Sequence, residues 1–434
     1  MATPPLPDGP AAAHIQRVYL LLTLLTTLAA SFIWGVNTLF LLDAGLNNTE
    51  AFAANAFFSL GMVIFEVPTG VVADTRGRRL SFMIGAAVLL ASTLAYLWMW
   101  QVQAPFIGWA LASILLGLGF TFFSGATEAW LVDALGATGY TGDLETIFGR
   151  AQTVSGAAML TGSVLGGVVA QVTSLGVPYL LRALMLGVAL AAAFFFMHDL
   201  GFKRKTGISA VTAVKEVARG SIDGGLRNRP VRWMMLAAPF TGGISFYAFY
   251  AMQPYLLQLW GDPNAYSIAG LAAAIVAGSQ IVGGLSVPRV RRRFSLRTNA
   301  LLLFFALESL SLLALAVVGF GQEALGIAAF YIAVALLVLW ALFSAVARPM
   351  RQAFLNGVIP SPERATVLSF DSLMSSLGGA VAQPALGRVA DLSGYAASYL
   401  VASVVSAAAL PFVFLARREQ APSDPIARAE EAAP

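Results

Sequence analysis

Charge along this chain is confined to short clusters, and the stretches between the clusters are apolar. Residues 18–42 and 80–127 contain no Asp, Glu, Lys or Arg, and neither do 151–181, 233–261, 263–288, 324–347 and 392–416. A helix that crosses a bilayer needs about 20 consecutive apolar residues. The run 80–127 is long enough for two such helices, with a turn around Gln101 to Pro105. The remaining spans are interrupted by a single buried charge. With turns read at clusters of Gly, Pro and Asn, the pattern predicts spanning helices near 17–43, 50–73, 80–100, 106–135, 146–172, 177–199, 232–259, 265–288, 298–320, 324–353, 364–390 and 395–416. The expected fold is an all-α membrane protein with twelve transmembrane helices in two six-helix bundles.

Composition agrees. Of the 434 residues 58% are hydrophobic and 11% charged, where a soluble domain carries roughly 25% charged residues. Mean hydropathy is +0.77. The absence of cysteine removes thiol catalysis and cysteine metal sites, and the two histidines, His14 and His198, stand at opposite ends of the first half, which argues against an imidazole metal centre. The net charge of +4 is spread through an apolar chain instead of forming a nucleic-acid patch. No Gly-x-x-x-x-Gly-Lys-Ser/Thr loop is present, which sets aside direct ATP drive. No convergent nucleophile, base or metal set suggests an enzyme. The expectation is therefore no cofactor, with a proton gradient as the energy source.

Residues 1–16 are rich in Pro and Ala without a basic leader or cleavage site, and read as a disordered cytoplasmic tail. The loops after predicted spans 2, 4, 6, 8 and 10, with both tails and the flanking helix ends, hold every Lys and Arg except Arg182 and Arg388. This distribution puts both termini in the cytoplasm and the chain in the cytoplasmic (inner) membrane. The segment 200–231 carries seven Lys and Arg residues, and Val211, Val214 and Val217 recur at helical spacing opposite Lys215 and Arg219. It reads as a cytoplasmic amphipathic linker between bundles at 17–199 and 232–416. Residues 417–434 read as a second disordered tail.

The two halves repeat. Adding 214 to the residue number carries Glu66, Gly70, Arg78, Arg79 and Ser81 onto Gln280, Gly284, Arg292, Arg293 and Ser295, and carries Arg150, Ala151 and Ser155 onto Arg364, Ala365 and Ser369. In span 4 the match shifts by six, setting Glu128 on Arg348. Parallel repeats of six helices are an architecture in which a substrate site lies near the bilayer midplane between rocking halves.

Gly70-Val71-Val72-Ala73-Asp74-Thr75-Arg76-Gly77-Arg78-Arg79, between spans 2 and 3, resembles the loop signature of the major facilitator superfamily, Gly-x-x-x-Asp-Arg-x-Gly-Arg-Arg/Lys, departing only at Thr75. A finer resemblance, to the tetracycline-efflux-like branch of drug/proton antiporters, is carried by Glu66-Val67-Pro68-Thr69-Gly70 and by Gly125-Ala126-Thr127-Glu128-Ala129-Trp130. Segments around Asn356, Pro360 and Arg364 to Ser369 add to it. The antiporter pattern of span 5, Gly-Pro-x-x-Gly-Gly, stands here as Gly162-Ser163-Val164-Leu165-Gly166-Gly167, with Ser for Pro. The helix 4 arginine pattern of the superfamily is missing.

A charge at bilayer depth costs at least ~2.5 kcal/mol, so Glu66, Glu128, Arg150, Arg182, Glu308, Arg348 and Asp371 each need a partner or a watery cavity. Glu66, Glu128 and Asp371 are the proton-coupling candidates, Asp371 first, with Glu308 held in reserve. Gly70, Asp74, Gly77, Arg78, Arg79, Arg150, Arg348 and Arg364 are the cytoplasmic gate candidates. In the signature the glycines are expected to let spans 2 and 3 approach, Arg78 and Arg79 to face phosphate headgroups, and Asp74 to accept hydrogen bonds from a helix start, which the resemblance places near Arg364. Glu128 and Arg348 are expected to line the cavity and to pair across the closed gate. Arg182 is expected to snorkel to the outer interface. Aromatic and amide groups, Trp34, Asn37, Trp130, Phe246, Tyr250, Gln253 and Trp340, are the candidate substrate cavity. Such a surface suits amphipathic or cationic organic compounds.

These readings imply a monomeric secondary transporter, proton-coupled, exporting small amphipathic compounds, with a small-molecule substrate and membrane lipid as partners and no nucleic acid. A proton-coupled symporter or lipid translocator is the alternative, and a non-transporting membrane sensor the remote one.

Overall fold

The computed structural model describes residues 10–123, 125–204, 221–359 and 364–426, with 212, 214, 215 and 219 of the linker. Hydrocarbon offers the backbone no water, so a spanning segment must satisfy its amides internally, and a helix does so within one segment. The first half forms α1 (Pro10–Trp34), α2 (Asn37–Asp43), α3 (Asn48–Arg76), α4 (Arg78–Val102), α5 (Phe106–Thr121), α6 (Ala126–Ala137), α7 (Leu144–Val172) and α8 (Gly176–Phe196). The second forms α9 (Arg229–Trp260), α10 (Tyr266–Arg291), α11 (Arg297–Phe320), α12 (Gln322–Leu325), α13 (Ala328–Val358), α14 (Arg364–Ala407) and α15 (Ala409–Arg418), preceded by one π-helical turn at Ser221–Leu226. Among the described residues ten helical stretches are long and apolar enough to cross a membrane. The last of these covers 53 residues and is two helices, because Gly394 at φ 81° breaks the helical path inside α14. The 32-residue α9 supplies the twelfth.

The chain gathers into two compact units, 1–44 with 57–214 and 45–56 with 215–434. The first nine residues of α3 thus belong to the second unit and the remainder to the first. In the first unit α1 lies against α7 because Gly162 and Gly166 leave room: a Cβ at either would collide with Ser31 Oγ or the Phe32 carbonyl. In the second unit α9 meets α14 the same way, with Gly243 against Gly378 and Gly378 against Pro239. Small residues permit this close approach where no hydrophobic effect drives helices together. The Gly-Ser-x-x-Gly-Gly pattern of span 5 is therefore a packing seam.

Several expected boundaries differ. The N-terminal tail was expected to be disordered through residue 16, yet α1 starts at Pro10 and buries Ala12 and Ile15. Span 1 divides at Trp34 into α1 and α2, and span 4 divides at Phe122 to Gly125, where Gly125 takes φ 67°. A left-handed backbone of this kind suits glycine. The C-terminal tail was expected to be disordered from 417, yet residues up to 426 fold onto the second unit, with Ala421 and Asp424 both 2% exposed. The predicted amphipathic helix of the linker falls largely outside the described residues.

Each unit anchors the start of the third span of its half with a carboxylate that follows the sixth. Asp199, after α8, accepts a hydrogen bond from the Arg79 amide at the start of α4 (2.9 Å). Asp424, after α15, accepts from the Thr298 amide (2.8 Å) and hydroxyl (2.7 Å) at the start of α11. The α3 start carries a capping box, in which the Glu50 amide donates to Asn47 Oδ1 (2.9 Å) and the Asn47 amide to Glu50 Oε2 (3.1 Å). Asp391 then receives the amides of Asn48 and Thr49, each at 2.9 Å, and both side chains.

Candidate functional site

In the loop signature, Gly77 takes φ 111° and separates α3 from α4. A Cβ there would strike the Asp199 carboxylate, so glycine is required twice over. Gly70 has open space at its Cβ position and is not needed for close approach. Within the first unit Arg78 Nη2 donates to Asp74 Oδ1 at 2.7 Å. Arg78 also lies 3.9 Å from Asp133 on α6. Arg79 was expected to face phosphate, but its guanidinium donates to the Phe194 carbonyl and sits 5.5 Å from the Phe194 ring centre. The signature arginines thus hold α3, α4, α6 and α8 at one end of the first unit.

A cavity of about 460 Å³ opens within that unit, lined from six spans by Thr26, Thr27, Met62, Phe120, Phe123, Glu128, Ser155, Met159 and Arg182 among others. The broken fourth span builds one wall, since Phe123 and Gly125 stand in the interruption and Glu128 in the first turn of α6. Ser81 Oγ donates to the Phe122 carbonyl at 3.1 Å and satisfies one backbone group that the interruption exposes. Arg182 was expected to snorkel, but only 2% of its surface is exposed. Its Nε donates to Thr93 Oγ1 (3.0 Å), its Nη1 to the Ala29 carbonyl (3.2 Å), and its Cζ lies 5.8 Å from the Phe120 ring centre. The sequence signal for this was available: six residues into α8, the side chain starts roughly 9 Å along the helix from its first residue.

In the second unit Asp371 on α14 and Arg351 on α13 form a bidentate pair, Nη1 to Oδ2 at 2.6 Å and Nη2 to Oδ1 at 2.5 Å. The side chains are 14% and 8% exposed for Arg351 and Asp371. Arg351 Nη2 also donates to the Met234 carbonyl on α9 at 3.0 Å, so three spans meet at one guanidinium. Sequence reasoning singled out Arg348 and missed Arg351, although a buried acid demands a partner and an arginine one turn from Arg348 offered one. Arg348 is exposed on α13 and is the charge whose field reaches Glu308. Glu308 is 3% exposed on α11.

The remaining candidates lie on several elements of the two units. Glu66 is half-buried on α3, Arg150 exposed on α7 and Arg364 half-buried at the start of α14. Trp130 is 2% exposed and donates Nε1 to the His198 carbonyl at 2.7 Å, so it packs and does not line the cavity. Asn37 accepts from the Tyr179 hydroxyl at 2.9 Å inside the first unit. Gln253 is fully buried and Trp340 belongs to the aliphatic and aromatic core around Tyr247, Tyr255 and Tyr399. Phe246 is 39% exposed, and Trp34 and Tyr250 are half-buried. The aromatic list therefore mixes core with surface. None of its seven residues lines the cavity of the first unit.

No curated protein matches this sequence. Solved structures do match its fold: the nucleoside transporter NupG (TM-score 0.70, 11% identity, covering 94% of this chain and 99% of that one), a D-xylose-proton symporter (0.63, 17%, 93% and 96%) and the POT family transporter PepTSo (0.71, 13%, 94% and 98%). The Major Facilitator Superfamily family model matches residues 19–321 and 297–434. With the twelve spans, the loop signature and that match along almost its whole length, the chain belongs to the major facilitator superfamily, as an integral membrane protein.

Proposed function

We propose that this protein is a proton-coupled secondary active transporter that exports small amphipathic organic compounds, cationic ones among them, by alternating access. The observation that carries this reading is the Asp371–Arg351 pair. A carboxylate held inside the membrane by one guanidinium can be neutralised by that guanidinium or by a proton, and trading one for the other frees the guanidinium to take a new partner. Protonating Asp371 releases Arg351, which also holds the Met234 carbonyl, so one proton changes the contacts of α9, α13 and α14 together. Export and the tetracycline-like branch are supported by the residues from Glu66 to Gly70 and from Gly125 to Trp130. The Lys and Arg distribution supports an inner-membrane location with both termini in the cytoplasm.

The test is transport in proteoliposomes with an imposed pH gradient and a panel of amphipathic compounds. The expected result is gradient-driven movement by the native chain. Asp371→Asn, and the double variant Asp371→Asn with Arg351→Gln that leaves no lone buried charge, should lose concentrative transport and keep substrate exchange. Native pH dependence in both would remove Asp371 from coupling. Symport is the second reading, favoured by the likeness of fold to a D-xylose-proton symporter. An inward proton gradient that accumulates substrate, where export would expel it, decides for symport.

A further inference from the structure

The cavity of the first unit carries two charges of opposite sign. Glu128 is an exposed carboxylate in the first turn of α6. Arg182 is a guanidinium fixed in the opposite sense: its bonds to Thr93 and Ala29 and its seat on Phe120 keep its charge in the wall. Thr26, Thr27 and Ser155 add hydroxyls, with Thr27 Oγ1 and Ser155 Oγ 3.2 Å apart. Phe120, Phe123, Met62 and Met159 supply apolar surface, and the volume of about 460 Å³ falls in the roughly 300–1,000 Å³ range of small-molecule sites.

A charge on the wall of a cavity acts on whatever enters it. A purely cationic ligand here meets the fixed guanidinium, and a purely anionic one meets Glu128. Only a molecule bearing both signs complements both, and specificity then comes from the repulsion the other two classes suffer. We propose that this cavity is a binding site for small zwitterions, with an ammonium directed to Glu128 and the neighbouring hydroxyls, a carboxylate directed to the Arg182 side, and a compact apolar body on the Phe and Met surface. As the identity of the cargo, this rests on the transport reading above and narrows its amphipathic compounds to zwitterions in place of the cationic ones; as a binding site, it does not rest on that reading.

The experiment measures equilibrium binding to the full chain in lipid nanodiscs for three matched sets, built on phenylalanine, leucine and 6-aminohexanoate. Each set comprises the zwitterion, its carboxamide, which is a cation, and its N-acetyl derivative, which is an anion. In at least one set the zwitterion should bind about tenfold or more tightly than either companion. Glu128→Gln, on an exposed side chain, should weaken the zwitterion by about tenfold and improve the N-acetyl compound relative to it. Arg182→Lys keeps the charge and should keep the order. A carboxamide that binds as tightly as its zwitterion in every set, an order unchanged by Glu128→Gln, or no binding in any set overturns the proposal. Transport is scored separately on the same preparation: proton-driven movement of cationic amphipaths without zwitterion binding sinks the site and spares the transport reading. The expected binding order in a protein that moves nothing across a gradient does the reverse.

Discussion

At the scale of a residue, the fate of each buried charge is set by what lies within one side-chain length of it. Arg351 reaches two oxygens of Asp371 and the Met234 carbonyl, so removing one member of the pair strands the other in a low-dielectric interior. Breaking such a pair costs about 3–5 kcal/mol, whereas replacing both members by neutral groups costs much less. Asp371→Asn or Arg351→Gln alone should therefore lower the thermal unfolding midpoint clearly, and the double variant should recover most of it. The measurement is a double-mutant cycle on purified protein. Additive losses would show that the pair is not coupled. Arg182 follows the same rule with different partners, a hydroxyl, a carbonyl and an aromatic face, which is why an arginine near the end of a predicted span is interior and not interfacial.

At the scale of an element, helix starts are the weak points, because their first amides lack partners within the helix. Among the described residues, three starts are served by carboxylates distant in sequence: α3 by Asp391, α4 by Asp199 and α11 by Asp424. For α3 the Asn47 and Glu50 box is local, while Asp391 is 343 residues from Asn48. Removing a cap costs about 0.5–2 kcal/mol. Asp391→Ala should raise the hydrogen-exchange rates of the Asn48 and Thr49 amides by about tenfold or more and leave those in the middle of α3 unchanged. Exchange at the native rate in both amides would show that the contact contributes nothing to the helix start. Since residues 45–56 belong with the second unit, the same variant should also loosen the start of α3 from α14 beside its break at Gly394.

At the scale of the whole molecule, orientation in the bilayer is an expectation from the loop charges and can be checked directly in this cysteine-free chain. A single cysteine at Asp262, between α9 and α10, should react with an impermeant maleimide from outside intact cells. A cysteine at Arg292, after α10, should react only after permeabilisation. Labelling of both positions from the same side would overturn the helix count or the orientation. The helix count itself has two independent supports, the gaps between charges and the helices of the structure, and they agree although the boundaries move by a few residues.

The hydrophobic pattern by itself determined the number of spans and their order, and the loop signature carried the resemblance to the family. Each span must be apolar over its length to enter hydrocarbon, and that requirement is written residue by residue. The loop signature was legible too, as were Asp371, Glu128 and Glu308 as charges in need of an explanation. The partners of those charges were not legible. Arg351 reaches Asp371 across 20 residues and Arg182 reaches Thr93 across 89, and such distances are set by how helices pack. The interruption of span 4 at Gly125 sits in apolar sequence that reads as continuous, because one backbone residue at positive φ leaves little trace in hydropathy, whereas the break at Gly394 falls in the gap between the predicted spans 364–390 and 395–416. The cavity was missed for a related reason. Its lining is mostly Thr, Ser, Met, Ala and Phe, residues common in any span, and only the close packing of α1, α7 and α8 around a broken fourth span brings Glu128 and Arg182 to the same space.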